Sequence, residues 1–137
     1  YEISACLVGS EMCIRDRTAK QTNYDVYMSH LVEVINNVRQ CYPNADIMLM
    51  GIGDRGEKKG GEVKSMSTAK FMVDAQRQAA RRAHCLFWDT RAAMGGDGAI
   101  VAWASDGRAN KDYIHLTHKG GKELATYLFN ALQNLLK

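Results

Sequence analysis

The run Ile47-Met48-Leu49-Met50-Gly51-Ile52, set between Asp46 and Gly53-Asp54-Arg55, is the stretch on which the fold turns. Its hydropathy is continuous rather than alternating, as in a strand buried on both faces of a parallel sheet. Upstream, residues 21–40 place Tyr24, Tyr27, Met28, Leu31, Val34, Ile35 and Val38 at spacings of three and four. That period predicts an amphipathic helix, capped by Thr22 or Asn23 and stopped at Tyr42-Pro43-Asn44. Downstream, residues 53–61 read as a charged, glycine-rich loop. Residues 68–83 read as a second helix that buries Met72, Ala75, Gln76, Ala79 and Ala83 and leaves Arg77, Arg81 and Arg82 wet. Cys85-Leu86-Phe87-Trp88-Asp89 is a second candidate strand buried in a sheet. Gly95-Gly96-Asp97-Gly98 is a turn, and residues 100–104 form a short helical piece. A last helix starts at Lys119 or Gly120 and runs to 136, with Leu124, Leu128, Leu132 and Leu135 on one face.

Helices alternating with strands specify a layered α/β domain around a parallel sheet. Two strands alone expose too much edge and apolar face to make a whole sheet, so the expectation is that further strands precede these.

Composition narrows the class. Apolar residues make up 46% and charged residues 24% of 137, with one proline, which suits a globular chain rather than a disordered one. The net charge of +3 is too small to imply nucleic acid or a membrane surface. No apolar run approaches the roughly 18–20 residues of a membrane span. Cys6, Cys13, Cys41 and Cys85 lack CxxC spacing, so no metal or redox site is expected. Residues 1–17 resemble a translated sequencing-adapter read-through and are set aside as an artefactual segment, leaving 18–137 as the domain.

In an open parallel sheet, functional groups gather beyond the carboxyl ends of the strands. Asp54-Arg55, Asp89-Thr90-Arg91 and Asp112-Tyr113-Ile114-His115 all fall there. Asp112 and His115 are three residues apart, so one turn of chain can bring the carboxylate to an imidazole nitrogen. The other nitrogen is then left to take a proton from a hydroxyl. Spacing alone leaves open a surface histidine beside a solvated carboxylate, and His118 is the other candidate base. His30 and His84 read as structural. Asp54 and Arg55 are candidates to contact a polar substrate, or else a loop ion pair. Trp103 is a candidate to line an acyl or sugar pocket, or else a hydrophobic anchor. The glycine turn has neither a phosphate-loop Lys-Ser/Thr nor dinucleotide spacing.

From about residue 21 onward the chain resembles the distal part of SGNH/GDSL-type esterases. Tyr42-Pro43-Asn44-Ala45-Asp46, Phe87-Trp88-Asp89 and, most specifically, Asp112-Tyr113-Ile114-His115-Leu116-Thr117 with Gly120-Gly121 carry the resemblance. It implies a truncated, flavodoxin-like three-layer α/β/α sandwich and a serine-dependent carboxylester hydrolase. His115 would be the general base and Asp112 its partner. The substrate class would be small-molecule or carbohydrate acyl esters, acetylated sugars by analogy. No cofactor or metal is implied, and a periplasmic or secreted location follows from the family alone. Departures from the pattern are equally specific. The Gly-Asp-Ser nucleophile block and the Gly and Asn of the oxyanion hole are not visible, so the nucleophile is unknown. Ser10 occupies the place of a later block, and Asn23 lies inside the helix pattern; neither takes a transferred role. The chain as it stands is therefore expected to be inactive. The competing reading is a non-catalytic α/β carbohydrate-binding or structural module, in which Asp112 and His115 hold a loop or contact a glycan.

Overall fold

A computed structural model describes residues 23–137; residues 1–17, Ser10 and Thr22 lie outside the described residues. The elements are α1 (Asp25–Cys41), β1 (Met48–Met50), β2 (Gly56–Lys59), β3 (Glu62–Ser65), α2 (Ser67–Arg82), β4 (Leu86–Trp88), α3 (Thr90–Met94), α4 (Ala99–Ser105) and α5 (His118–Leu135). β1 and β4 pair in parallel, with Met48 opposite Leu86 and Met50 opposite Trp88. β2 and β3 form a separate antiparallel hairpin. The result is a mixed α/β fold with a parallel sheet and flanking helices, as the alternation of elements requires.

The two long helices form where the periodicity places them. α1 and α2 close on a cluster of Tyr24, Tyr27, Met28, Met72, Ala75 and Ala79. The alanines let the helices approach, and the tyrosine rings meet edge to face at 6.3 Å. Asn23 accepts from the Asp25 amide, so the expected capping residue acts one position before the helix boundary. Gln76 sits buried in this apolar layer with both ends of its amide satisfied. Its Nε2 donates to the Tyr27 hydroxyl at 3.0 Å, and its Oε1 accepts from the Ile52 amide at 2.9 Å. One side chain thus ties both helices to the end of β1. Arg39 donates to the carbonyls of Ala83 and His84, satisfying the end of α2. His84 itself adopts φ 51°, the left-handed turn that ends the helix.

Three expectations need correction. Residues 53–61 are not wholly loop: part of the segment builds β2, and Gly60-Gly61 turn the chain at φ +61° and +86°. Two consecutive positive φ values suit a tight hairpin turn, which glycine adopts without strain. Arg77 is not simply wet. It lies over the Phe87 ring and pairs with Asp74 and Asp89. The strands are not covered on both faces: Met50 and Leu86, which share one face by register, are 43% and 50% exposed. On α5, Leu124 packs against a core cluster and Leu128 and Leu132 are partly buried, while Tyr127, Phe129 and Leu135 are exposed. Among the described residues, nothing packs over these surfaces in the way the α1–α2 layer covers its own.

Replacing Gln76 by alanine would remove its hydrogen bond to the Tyr27 hydroxyl and strand the Ile52 amide. The expected cost is about 1–3 kcal/mol, read as a lower denaturant midpoint with an unchanged slope. An unchanged midpoint would show that the amide does not join the layers.

Candidate active site

The second core cluster supports the candidate site. Met94, Ala99, Ile100, Trp103, Ala104 and Ala109 pack together, with Val101, Tyr113, Leu116 and Leu124 around them. Arg108 covers this cluster, its guanidinium 4.4 Å from the Trp103 ring centre. The same guanidinium donates to Asp106 and Glu123, which links the loop after α4 to α5. Its hydrogen bonds to Asp106, joined by that to Glu123, hold its pKa well above the ordinary value. The chain then folds back: Ala109 bridges Leu116, Asn110 donates to the His115 carbonyl, and Thr117 donates to the Arg108 carbonyl. Thr117 also caps α5, its hydroxyl accepting from Gly120 while donating to the Gly107 carbonyl. A Cβ on Gly120 would lie 2.0 Å from the Arg108 carbonyl oxygen, so only glycine fits there.

Within this frame, residues 112–115 make a tight turn. Tyr113 adopts φ 58°, and the Asp112 Oδ1 accepts from the amides of Ile114 and His115 at 2.9 and 3.0 Å. The second carboxylate oxygen, Oδ2, lies 2.7 Å from His115 Nδ1. These contacts hold Asp112 at a pKa of about 2, the imidazole hydrogen bond first and the two amides after it. The imidazole side chain is 61% exposed, and no hydrogen bond from the described residues engages Nε2. A carboxylate on Nδ1 favours the tautomer that carries its proton there, leaving Nε2 as an acceptor facing solvent. Chemically, this is an oriented base. The turn is joined to the hairpin because the Gly56 amide donates to the Tyr113 carbonyl at 2.8 Å.

The other expected site residues are placed differently. Asp54 is 1% exposed and Trp103 is 2% exposed, and both are enclosed by protein groups. Asp54 accepts from Ser65 and from the Ile100 amide, and faces Arg91 at 3.3 Å. Neither side chain presents a surface to a substrate in this arrangement. Arg55 is partly exposed and borders a small cleft with Tyr24, Ile52, Met66 and Met72. His118 is exposed at the start of α5. Asp89 caps α3 through the Ala92 amide and pairs with Arg77. Of the three clusters expected beyond the strands, two meet directly through Asp54 and Arg91. The third is joined to them through Gly56 and Tyr113. Sequence reasoning left Ser65 and Arg108 without a role. Ser65 meets Asp54 and Gly98, 11 and 33 residues away, and Arg108 reaches Glu123, 15 residues on, as well as the nearby Asp106. Among the described residues, no helix is long and apolar enough to cross a membrane.

Neither a family model nor a curated protein matches the chain. A solved structure of a peptidoglycan O-acetylesterase superposes with a TM-score of 0.76 at 24% identity, over 82% of this chain and 33% of that one. The likeness establishes the fold, an α/β sandwich arrangement of which this chain spans about a third of the matched protein's length.

The turn's response to acid follows from the carboxylate. Asp112 titrates at about 2 when folded and near 3.9 when free, by ordinary aspartate values. A depressed folded value means its contribution is complete above about pH 4 and is lost as pH falls through about 2. Below about pH 4 the amide resonances of Ile114 and His115 should move with a midpoint near the folded value of Asp112. An Asp112→Asn variant should show no such transition; a midpoint near 4 in the parent chain would refute the bonding described. Separately, Gly120→Ala should cost about 1–3 kcal/mol by overpacking, measured by equilibrium unfolding.

Proposed function

We propose that this chain carries the acid–base part of a serine-dependent carboxylester hydrolase of the SGNH/GDSL type. His115 is the general base and Asp112 its orienting carboxylate. The observation that carries the reading is the division of labour in one side chain. Asp112 spends Oδ1 on the backbone of its own turn and Oδ2 on the imidazole. The second contact, on the imidazole, is the one an oriented base needs, and it favours this reading over a purely structural or glycan-binding loop. The peptidoglycan O-acetylesterase with the same fold supports the reading, and extends it to acyl esters on carbohydrate as substrate class.

In such a reaction a hydroxyl approaches Nε2 and gives up its proton as it attacks the ester carbonyl. The imidazolium that forms is stabilised by Asp112, then returns the proton to the leaving alkoxide. Among the described residues, no serine stands in a Gly-Asp-Ser setting. Ser65 is committed to Asp54, and Ser29 and Ser105 donate to helical carbonyls. No Gly-Asp-Ser block occurs in the sequence. The nucleophile and oxyanion donors are accordingly assigned to a segment of the parent protein outside these 137 residues. Without them the covalent route is closed.

Hydrolysis of an aryl acetate tests both parts. The 137-residue chain should show no turnover that distinguishes it from its His115→Ala variant. A longer product of the gene bearing a Gly-Asp-Ser block should hydrolyse the ester, and His115→Ala should lower its turnover by on the order of 10²–10⁴. Histidine-dependent turnover by the short chain would overturn the assignment of the nucleophile. Activity of the longer product that ignores His115→Ala would overturn that of the base.

A further inference from the structure

We infer that Asp54 is a positioning residue for the Asp112–His115 pair, acting through the β2–β3 hairpin. The inference rests on the acid–base reading of that pair. Asp54 is one of the few charged groups enclosed by the fold, and it joins four segments at once. Its Oδ2 accepts from the Ser65 hydroxyl at 2.5 Å, at the end of β3, and from the Ile100 amide at 3.0 Å, in the first turn of α4. Its Oδ1 faces Arg91 Nε of α3 at 3.3 Å, a charge pairing without the alignment of a hydrogen bond. Ser65 passes the connection on, its oxygen accepting from the Gly98 amide at 2.7 Å.

Gly56, two residues beyond Asp54, is where the hairpin meets the catalytic turn. Its amide donates to the Tyr113 carbonyl, and a Cβ at Gly56 would sit 2.6 Å from Tyr113 Cβ and 3.1 Å from Val63 Cγ1. Tyr113 is the left-handed residue between Asp112 and His115, so its carbonyl direction governs how the turn closes. Fastening the hairpin at both ends, through Asp54 and Ser65, fixes the surface on which Tyr113 rests. A buried carboxylate is an expensive way to gain stability, because desolvation offsets much of its pairing. Fixing relative placement is what it does better than an apolar side chain of similar volume.

The test reads the turn rather than the activity, by NMR of the full 137-residue chain. In the parent chain the Asp112 carboxyl should titrate at about 2. In Asp54→Asn and in Ser65→Ala the midpoint should climb toward the free value of about 3.9, and exchange of the Gly56 amide should quicken about tenfold or more, the signature of a local opening. Gln76→Ala, which weakens the α1–α2 side, serves as the matched control and should change neither. Ser65→Ala keeps the charge pairing and carries the test alone if Asp54→Asn does not fold. Unaltered titration and exchange in the folded variants would overturn the inference, as would equal changes in Gln76→Ala. Because neither readout needs turnover, a failed ester assay with a shifted titration rejects the catalytic reading and leaves the positioning intact.

Discussion

The Asp112 carboxylate is the constraint from which the rest of the site follows. Each of its oxygens has a separate task, one closing the turn through two amides and the other orienting the imidazole. In this turn, closed on its own side chain, the middle residue Tyr113 is left-handed. A non-glycine residue in that region is strained unless its surroundings hold it. Here the surroundings are the second core cluster beneath the tyrosine and the Gly56 amide against its carbonyl. The exposure of the imidazole and the enclosure of its supports are two sides of the same arrangement: an accessible proton acceptor on a fixed foundation.

Trp103 and Arg108 show how packing serves this end. The indole lies in the core, the guanidinium covers it, and the two carboxylates of Asp106 and Glu123 hold the guanidinium in place. Arg108 also lends its backbone, accepting from Thr117 and pressing so close to Gly120 that no side chain fits there. The start of α5 is therefore set by the core, and its leucine stripe is partly buried at Leu124, Leu128 and Leu132. The open face at Met50 and Leu86 and the exposed Phe129 and Leu135 of α5 are apolar surfaces of the kind a sandwich covers with further elements.

Local pattern made the legible parts legible. α1, α2 and α5 repeat their apolar residues at helical spacing, and β1 and β4 are short apolar runs between turns. Asp112 and His115 could be paired in advance because they are separated by a single turn of chain. The hairpin was hidden because it has one apolar residue, Val63, and no alternation; only Gly60-Gly61 marked it. Asp54 stood out as chemistry but not as structure. Its partners Ser65 and Ile100 lie 11 and 46 residues further on, and no spacing rule reaches that far. Trp103 could line a pocket or anchor a core by sequence, and the later Arg108 decided the matter by covering it.

Imidazole nitrogen spectroscopy tests the central claim most directly, since tautomer and pairing are read from the ring itself. At about pH 8.5, above the usual histidine range near 6.5, His115 should carry its proton on Nδ1, with Nε2 showing the shift of an unprotonated acceptor. A ring with the proton on Nε2, or one averaging freely between the two forms, would mean that Asp112 does not orient it and that no poised base exists in this turn.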